Sequence, residues 1–305
     1  MCLCRQQVAR QHVGGRATKQ LLPLDADTER RMVPSLLTFR IIMPSISSLL
    51  NSLANQVWSI GPGSRATLRG REVKLIAHRG AHGPGIAEEN TAAAFAHCAT
   101  AGVWAVETDI RLTADGHPVI YHDPHCGRLH GRPALTIAHS TLDELRAAVP
   151  TLFTLAELVD DFAGKVHLML EVKESWRERP VYPQRIMDCL TGLEPVRDFH
   201  LLSLVPDHLE GFPDLPRAAC VDVAWMNTGR IITENAALGH GGLAGSFALL
   251  GRRRLQRLQA AGRTVGTGFV TRPGALRREV YRGADWIFTD HALRLQTLIN
   301  HEQKG

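Results

Sequence analysis

Residues 105–123 read AVETDIRLTADGHPVIYHD and set Glu107 and Asp109 two apart in an otherwise apolar run. On an extended strand two such side chains share a face. Buried together they repel and lose hydration, so the pair demands a positive partner. The chain then turns through Ala114-Asp115-Gly116-His117 and returns to His122-Asp123. A two-residue Asp115-Gly116 turn would set His122 opposite Asp109, delivering a histidine to the carboxylates. LEVK (170–173) puts Glu171 and Lys173 on one face in the same way, and AHRGA (77–81) closes another apolar run with His78-Arg79. Three carboxylates without cysteine or a histidine-rich set suit Mg²⁺ or Ca²⁺ rather than zinc. Arg79 and Lys173 supply the positive charge that an anionic phosphoryl group needs. His78 and His122 can supply an acid and a base near neutral pH. Which does which is not legible in the sequence, with His78 the preferred base and His122 the preferred acid.

These residues work together only if the strands that carry them end at one place. From Lys74 onward nine short apolar runs alternate with amphipathic stretches: 74–80, 104–112, 118–123, 166–173, 200–205, 218–225, 242–250, 264–270 and 286–290. Strands alternating with helices imply an α/β fold with a parallel sheet. The Ala-Asp-Gly-His turn folds 118–123 back antiparallel, so that run is a hairpin arm after the second strand. Eight strands remain, which suits a closed (β/α)8 TIM barrel whose strand ends meet at one mouth.

AHRGA (77–81), EENTAAAF (88–95), VETDIRLTADGHPVIYHD (106–123), LEVK (170–173) and GADWIFTD (283–290) resemble, in order and spacing, the glycerophosphodiester phosphodiesterase family. The resemblance covers roughly residues 73 to 295. It implies the same TIM-barrel fold, of the phospholipase-C-like phosphodiesterase type. It also implies metal carboxylates at Glu107, Asp109 and Glu171, catalytic histidines at His78 and His122, and phosphate binding by Arg79 and Lys173. Glu89 and Asn90 fall in the family's signature, behind the ligands, with Asn90 also capping the following helix. The implied activity is hydrolysis of a glycerophosphodiester to an alcohol and glycerol 3-phosphate, within glycerol and lipid metabolism, with one divalent cation. The chain departs from the family at TGFVTR (267–272), where an aromatic W-T-V-N run is common, and in lacking a D-R-T-T-like segment after His122.

Bland readings compete residue by residue. Glu107 and Asp109 could sit on a solvated hairpin face, and Glu171 with Lys173 could be a structural ion pair. His97, His125, His130, His139, His200 and His240 read as surface or structural, since the chain has 15 histidines. His82, in the glycine-rich loop, is a candidate for substrate contact, and Trp225 for packing or for lining an alcohol pocket. HRGAHGPG opens no G-x-G-x-x-G helix, which argues against a dinucleotide cradle. Alternative functions are lysophospholipase D-type cleavage of a lysophospholipid headgroup, a non-catalytic phosphodiester-binding protein, or a metal-dependent nuclease.

The 305 residues are 44% hydrophobic and carry a formal net charge of +5. That excess is too scattered for a nucleic-acid partner, and RRRLQRLQAAGR (252–263) reads as an outer helix. Residues 1–72 form an N-terminal extension to a 73–300 catalytic domain, with 1–20 polar and disordered. Within it, 45–60 places Leu49, Leu50, Leu53, Val57 and Ile60 at helical spacing. This suits a helix docked on the domain, and it is also a candidate for weak contact with a membrane surface. Met32 and Met43 are alternative starts. Without a spanning run, a secretory signal or a C-x-x-C pair, the expected place is the cytoplasm, with reduced thiols and at most an occasional metal or lipid at Cys2 and Cys4. The oligomeric state is not legible in the sequence.

Overall fold

The runs that alternate with amphipathic stretches form the barrel of a computed structural model, which describes residues 46–304. The disorder of 1–20, the starts at Met32 and Met43, and Cys2 with Cys4 lie outside the described residues. In chain order the first half runs α1 (Ile46–Trp58), β1 (Leu75–His78), α2 (Ala92–Ala101), β2 (Ala105–Leu112) and β3 (Pro118–Ile120). It continues with β4 (His125–Cys126), α3 (Gly127–His130), β5 (Arg132–Thr136), α4 (Leu142–Ala148), β6 (Phe153–Thr154) and α5 (Leu155–Phe162). There follow β7 (His167–Val172), α6 (Tyr182–Cys189), β8 (Phe199–Ser203), β9 (Cys220–Ala224) and α7 (Thr228–Leu238). The chain closes with β10 (Gly242–Ser246), α8 (Arg252–Ala260), β11 (Thr264–Gly268), α9 (Pro273–Arg282), β12 (Trp286–Thr289) and α10 (Ala292–Lys304).

β1, β2 and β7–β12 pair in parallel, and β1 bonds both β2 and β12, which closes the barrel. β3 is the hairpin arm, antiparallel to β2. Between β8 and β9 the crossover carries only 3₁₀ turns, Pro206–Gly211 and Arg217–Ala219. Pro206, Pro213 and Pro216 explain this, because proline lacks the N–H that a helix interior needs.

The hairpin differs from the expected register. Ile110 pairs with Ile120 and Leu112 with Pro118, one residue away from a pairing that sets His122 on Asp109. Thr113 N–H donates to His117 O (3.1 Å), so the loop has three residues, with Gly116 at φ 85° taking the left-handed place. His122 is still delivered, because β3 ends at Ile120 and residues 121–123 leave the ladder.

Side-chain alternation sorts the strands. Val106, Ile110, Leu168, Leu170 and Val172 face outward into the core shared with the helices. Ile76, Ala105, Met169, Leu202, Trp286 and Phe288 fill the barrel interior. The interior positions next up the strands are His78, Glu107, Asp109 and Glu171. Below, the rings of His167 and His200 meet (Nε2 to Nδ1, 2.8 Å), stacked on Trp104 and edge-on to Trp286. Burial holds both histidines neutral, lowering His167 to about 4 and His200 to about 3 from 6.5. The folded state therefore resists protons that the unfolded chain accepts below 6.5. Their contribution to stability is complete above pH 6.5 and is lost as pH falls toward 4, with a slope up to about 2.7 kcal/mol per pH unit if both titrate. Melting temperature followed from pH 7 to 4 should fall over that window and fall less in His200→Gln; equal curves would contradict this.

The described residues, 46–304, belong to one compact unit. α1 is an amphipathic helix as expected, but its docked face is the other one. Ala54 and Trp58 pack on the barrel's outer core, and Asn55 binds Phe269 O and Thr271 N, while Leu49, Leu50, Leu53 and Val57 are more than half exposed. Among the described residues no helix is long and apolar enough to cross a membrane. Cys98, Cys126, Cys189 and Cys220 are free thiols.

Candidate active site

Strand register alone makes the first contacts. His78 is the β1 neighbour of Glu107, and Asp109 the β2 neighbour of Glu171. Glu107, Asp109 and Glu171 each present an oxygen, all within 4.8 Å of one another. Glu107 and Asp109 are 3% and 1% exposed, which removes the solvated hairpin face as a reading.

The positive partners are those expected. Lys173 Nζ lies 2.8 Å from Glu171 and 3.1 Å from Asp109, on the mouth side of β7. Arg79 Nε is 3.5 Å from Asp109, its Nη1 donates to Glu89 at 2.8 Å, and its backbone N–H donates to Glu107 at 3.2 Å. That reach depends on a turn just past β1 in which Arg79 and Gly80 are both left-handed (φ 56° and 78°). A β-carbon on Gly80 would stand 2.9 Å from Ala94 Cβ and from Phe95. Gly80→Ala should cost about 1–3 kcal/mol in denaturant unfolding and loosen Arg79; a neutral effect would mean that the turn carries no strain.

Glu89 and Asn90 stand behind this layer as expected. Glu89 joins Arg79 to Arg128, and Asn90 donates to Asp109 (2.9 Å) while accepting from Thr108 (2.7 Å). Asn90 does not cap α2. It is left-handed at φ 58°, and the cap is Thr91, whose hydroxyl accepts from Ala94 N–H.

The two histidines are mounted alike. His78 Nδ1 lies 2.6 Å from Asp290, with its Nε2 3.9 Å from Glu107, and His122 Nδ1 lies 2.7 Å from Asp123. Such a carboxylate fixes the ring and its tautomer. Asp290 follows the inward-facing series Trp286, Phe288, so strand parity could have marked it, and Asp123 was adjacent to a chosen residue. Arg128, which ties Asp123 (2.7 Å) to Glu89, sits on a four-residue helix with no periodic signal. Phe269, where the chain departs from the W-T-V-N run, packs 4.5 Å from the His78 ring. His82 lies at the edge, 4.0 Å from Asp290, and Trp225 is 55% exposed at the mouth end of β9.

Charge is unevenly distributed. Burial, with Asp109 and Glu171 nearby, pushes Glu107 up to about 8, and burial also raises Glu171. Asp109 overcomes burial through Lys173 and Arg79 and falls to about 2. Burial opposes the charged form of His78, but the Asp290 hydrogen bond and Glu107 outweigh it and raise its pKa. Burial lowers His122 despite Asp109. The two rings therefore differ in their surroundings, His78 held between two carboxylates and His122 with one.

The family model Glycerophosphoryl diester phosphodiesterase family matches residues 78–240. YqiK of Bacillus subtilis is 25% identical over 246 residues, covering 75% of this chain and 99% of that protein. A glycerophosphodiester phosphodiesterase from Thermotoga maritima superposes with TM-score 0.65 at 21% identity, over 75% of this chain and all of its own. An Oleispira antarctica phosphodiesterase, solved in complex with the product sn-glycerol-3-phosphate, superposes with TM-score 0.64 at 23% identity, over 74% of this chain and 96% of its own.

Proposed function

The chain belongs to the glycerophosphoryl diester phosphodiesterase family and is a phosphoric diester hydrolase; from that premise we propose that it cleaves glycerophosphodiesters to an alcohol and glycerol 3-phosphate by metal-assisted histidine acid–base catalysis. One observation carries the reading: two buried carboxylates and a half-buried third, two cationic side chains and two carboxylate-anchored histidines converge on the barrel mouth. The Oleispira relative's bound product is of the same class.

The donor set fits a divalent cation. Its oxygens are hard and close together, and burial with the repulsion of Asp109 and Glu171 raises Glu107, a strain that a cation relieves. Glu107, Asp109 and Glu171 would hold one Mg²⁺ or Ca²⁺, which supplies Lewis-acid stabilisation of phosphoryl charge. Arg79 and Lys173 bind the non-bridging phosphate oxygens and oppose the charge that builds there. Asn90 and Glu89 keep Asp109 and Arg79 aimed. One histidine takes the proton of the attacking water or of the neighbouring glycerol hydroxyl, and the other returns a proton to the leaving alkoxide. Where the hydroxyl attacks, the cyclic phosphate formed is opened by a water in a second step, with the two histidines exchanging roles, to give glycerol 3-phosphate. Asp290 and Asp123 hold the two rings for that exchange.

The catalytic domain is residues 73–300, with 1–72 as its extension, and the free thiols suit a reducing cytoplasm. A second reading, lysophospholipase D-type headgroup cleavage, is favoured by exposed Trp225 and Met226 at the mouth. Release of glycerol 3-phosphate from glycerophosphocholine, glycerophosphoethanolamine and glycerophosphoglycerol, beside headgroup release from lysophosphatidylcholine, tests both. Release from the small diesters supports the main reading. Headgroup release from the lysolipid alone would replace it with the second, and silence throughout would leave a phosphodiester-binding protein.

A further inference from the structure

In a parallel barrel every loop that follows a strand opens on the face that holds the strands' carboxyl ends. Eight large apolar side chains are exposed between residues 75 and 304, and six of them stand on that face. They are Ile86 after β1, Val181 after β7, Leu204 and Val205 after β8, and Trp225 and Met226 after β9. Scattered exposed apolar residues are ordinary, but a set gathered round one opening marks a contact surface.

The loops of β10–β12 complete the ring differently. α1 lies beside them, through Asn55 on Phe269 and Thr271, and exposes Leu49, Leu50 and Leu53. Exposed arginines begin three successive helices: Arg252 and Arg253 in α8, Arg272 at the cap of α9, and Arg294 in α10, the last two lining a cleft with Ser52 of α1. None of those first turns contains an acid, whereas α4 and α5 begin with Asp143, Glu144 and Glu157. The helix dipole disfavours cations at these positions, so the arginines do not serve their own helices.

We propose that the mouth face of the barrel docks on an anionic lipid bilayer, so that the phosphodiester cleaved is the headgroup linkage of an amphiphile held in that surface. The apolar loops enter the interface, and the arginines meet anionic headgroups beside them. A bilayer suits the ring better than a protein does. A protein, or a second copy, covering these four loops would stop the mouth through which substrate reaches Glu107 and His122. A bilayer covers the same ring and supplies the substrate. The substrate part rests on the hydrolase reading above; the docking part does not.

The test is co-sedimentation of the full chain with vesicles of phosphatidylcholine, alone or mixed with phosphatidylglycerol, at low and high salt. Two variants accompany it, Leu204→Ser with Val205→Ser, and Arg252→Gln with Arg253→Gln. The wild type should bind the mixed vesicles, prefer them to the neutral ones, and lose that preference as salt rises. Each variant should bind about tenfold or more weakly, while cleaving water-soluble glycerophosphocholine at the wild-type rate. No binding to mixed vesicles, or binding that neither variant weakens, overturns the proposal. So does a dimer in solution that the Leu204→Ser, Val205→Ser variant dissociates, because it gives the face to a second copy. Headgroup release from lysophosphatidylcholine held in the mixed vesicles should fall in both variants. No such release, or release that neither variant lowers, overturns the substrate part. Failure to cleave either substrate with vesicle binding intact would strike the hydrolase reading and leave the docking surface standing.

Discussion

His122→Ala and His78→Ala should each lower kcat by about 10²–10⁴, with little change in unfolding free energy and with cation binding retained. Both rings sit at the mouth, 31% and 20% exposed, so truncation leaves no deep cavity. The two losses should differ in their pH dependence. An intact enzyme with one acid and one base gives a bell-shaped rate profile, and each variant removes one limb. Burial lowers His122, whereas Asp290 and Glu107 raise His78 against burial. A cation shared by Glu107 would withdraw part of the attraction that raises His78, so the limb lost in each variant assigns acid and base in the working enzyme. Two variants that retain the full bell and most of the rate would remove the histidines from the chemistry.

Asp109→Ala should be as damaging, for a different reason. In the proposed site Asp109 would offer an oxygen to the cation, and it anchors Lys173 at 3.1 Å and accepts from Asn90 at 2.9 Å. Without it one ligand is gone and Lys173 keeps only Glu171, so several kcal/mol of charge stabilisation disappear, roughly 10²–10⁴ in rate. Activity is not the only readout. Binding to the folded state alone raises the melting temperature, so Mg²⁺ or Ca²⁺ should stabilise the wild type and fail to stabilise Asp109→Ala. EDTA should abolish wild-type turnover reversibly. Stabilisation by the ion that is equal in the two proteins would place the cation elsewhere.

Much of this site is legible before any coordinates, because strand parity is a strong rule. Once Glu107, Asp109 and Glu171 lie on parallel strands, the two-residue period sends them into the barrel, and closure brings His78 beside them. What escaped the sequence depends on local backbone detail. The hairpin register is one residue off because Gly116 supports a three-residue loop. Asn90 is displaced from the helix cap by Thr91, which frees its amide for Asp109. The stripe of leucines on α1 faces outward because Asn55, polar in sequence, finds backbone partners at Phe269 and Thr271 that a leucine could not satisfy. Periodicity reports that a helix has an apolar face; it does not report which neighbour covers it.

The central claim is metal-assisted hydrolysis driven by the histidine pair at the barrel mouth. Release of glycerol 3-phosphate from glycerophosphocholine, followed with Mg²⁺, Ca²⁺ and EDTA in the wild type and in His122→Ala, addresses it most directly. The account predicts release with at least one of the two ions, none with EDTA, and a loss of about 10² or more in the variant. Release that persists in EDTA, or that is equal in His122→Ala, would contradict it.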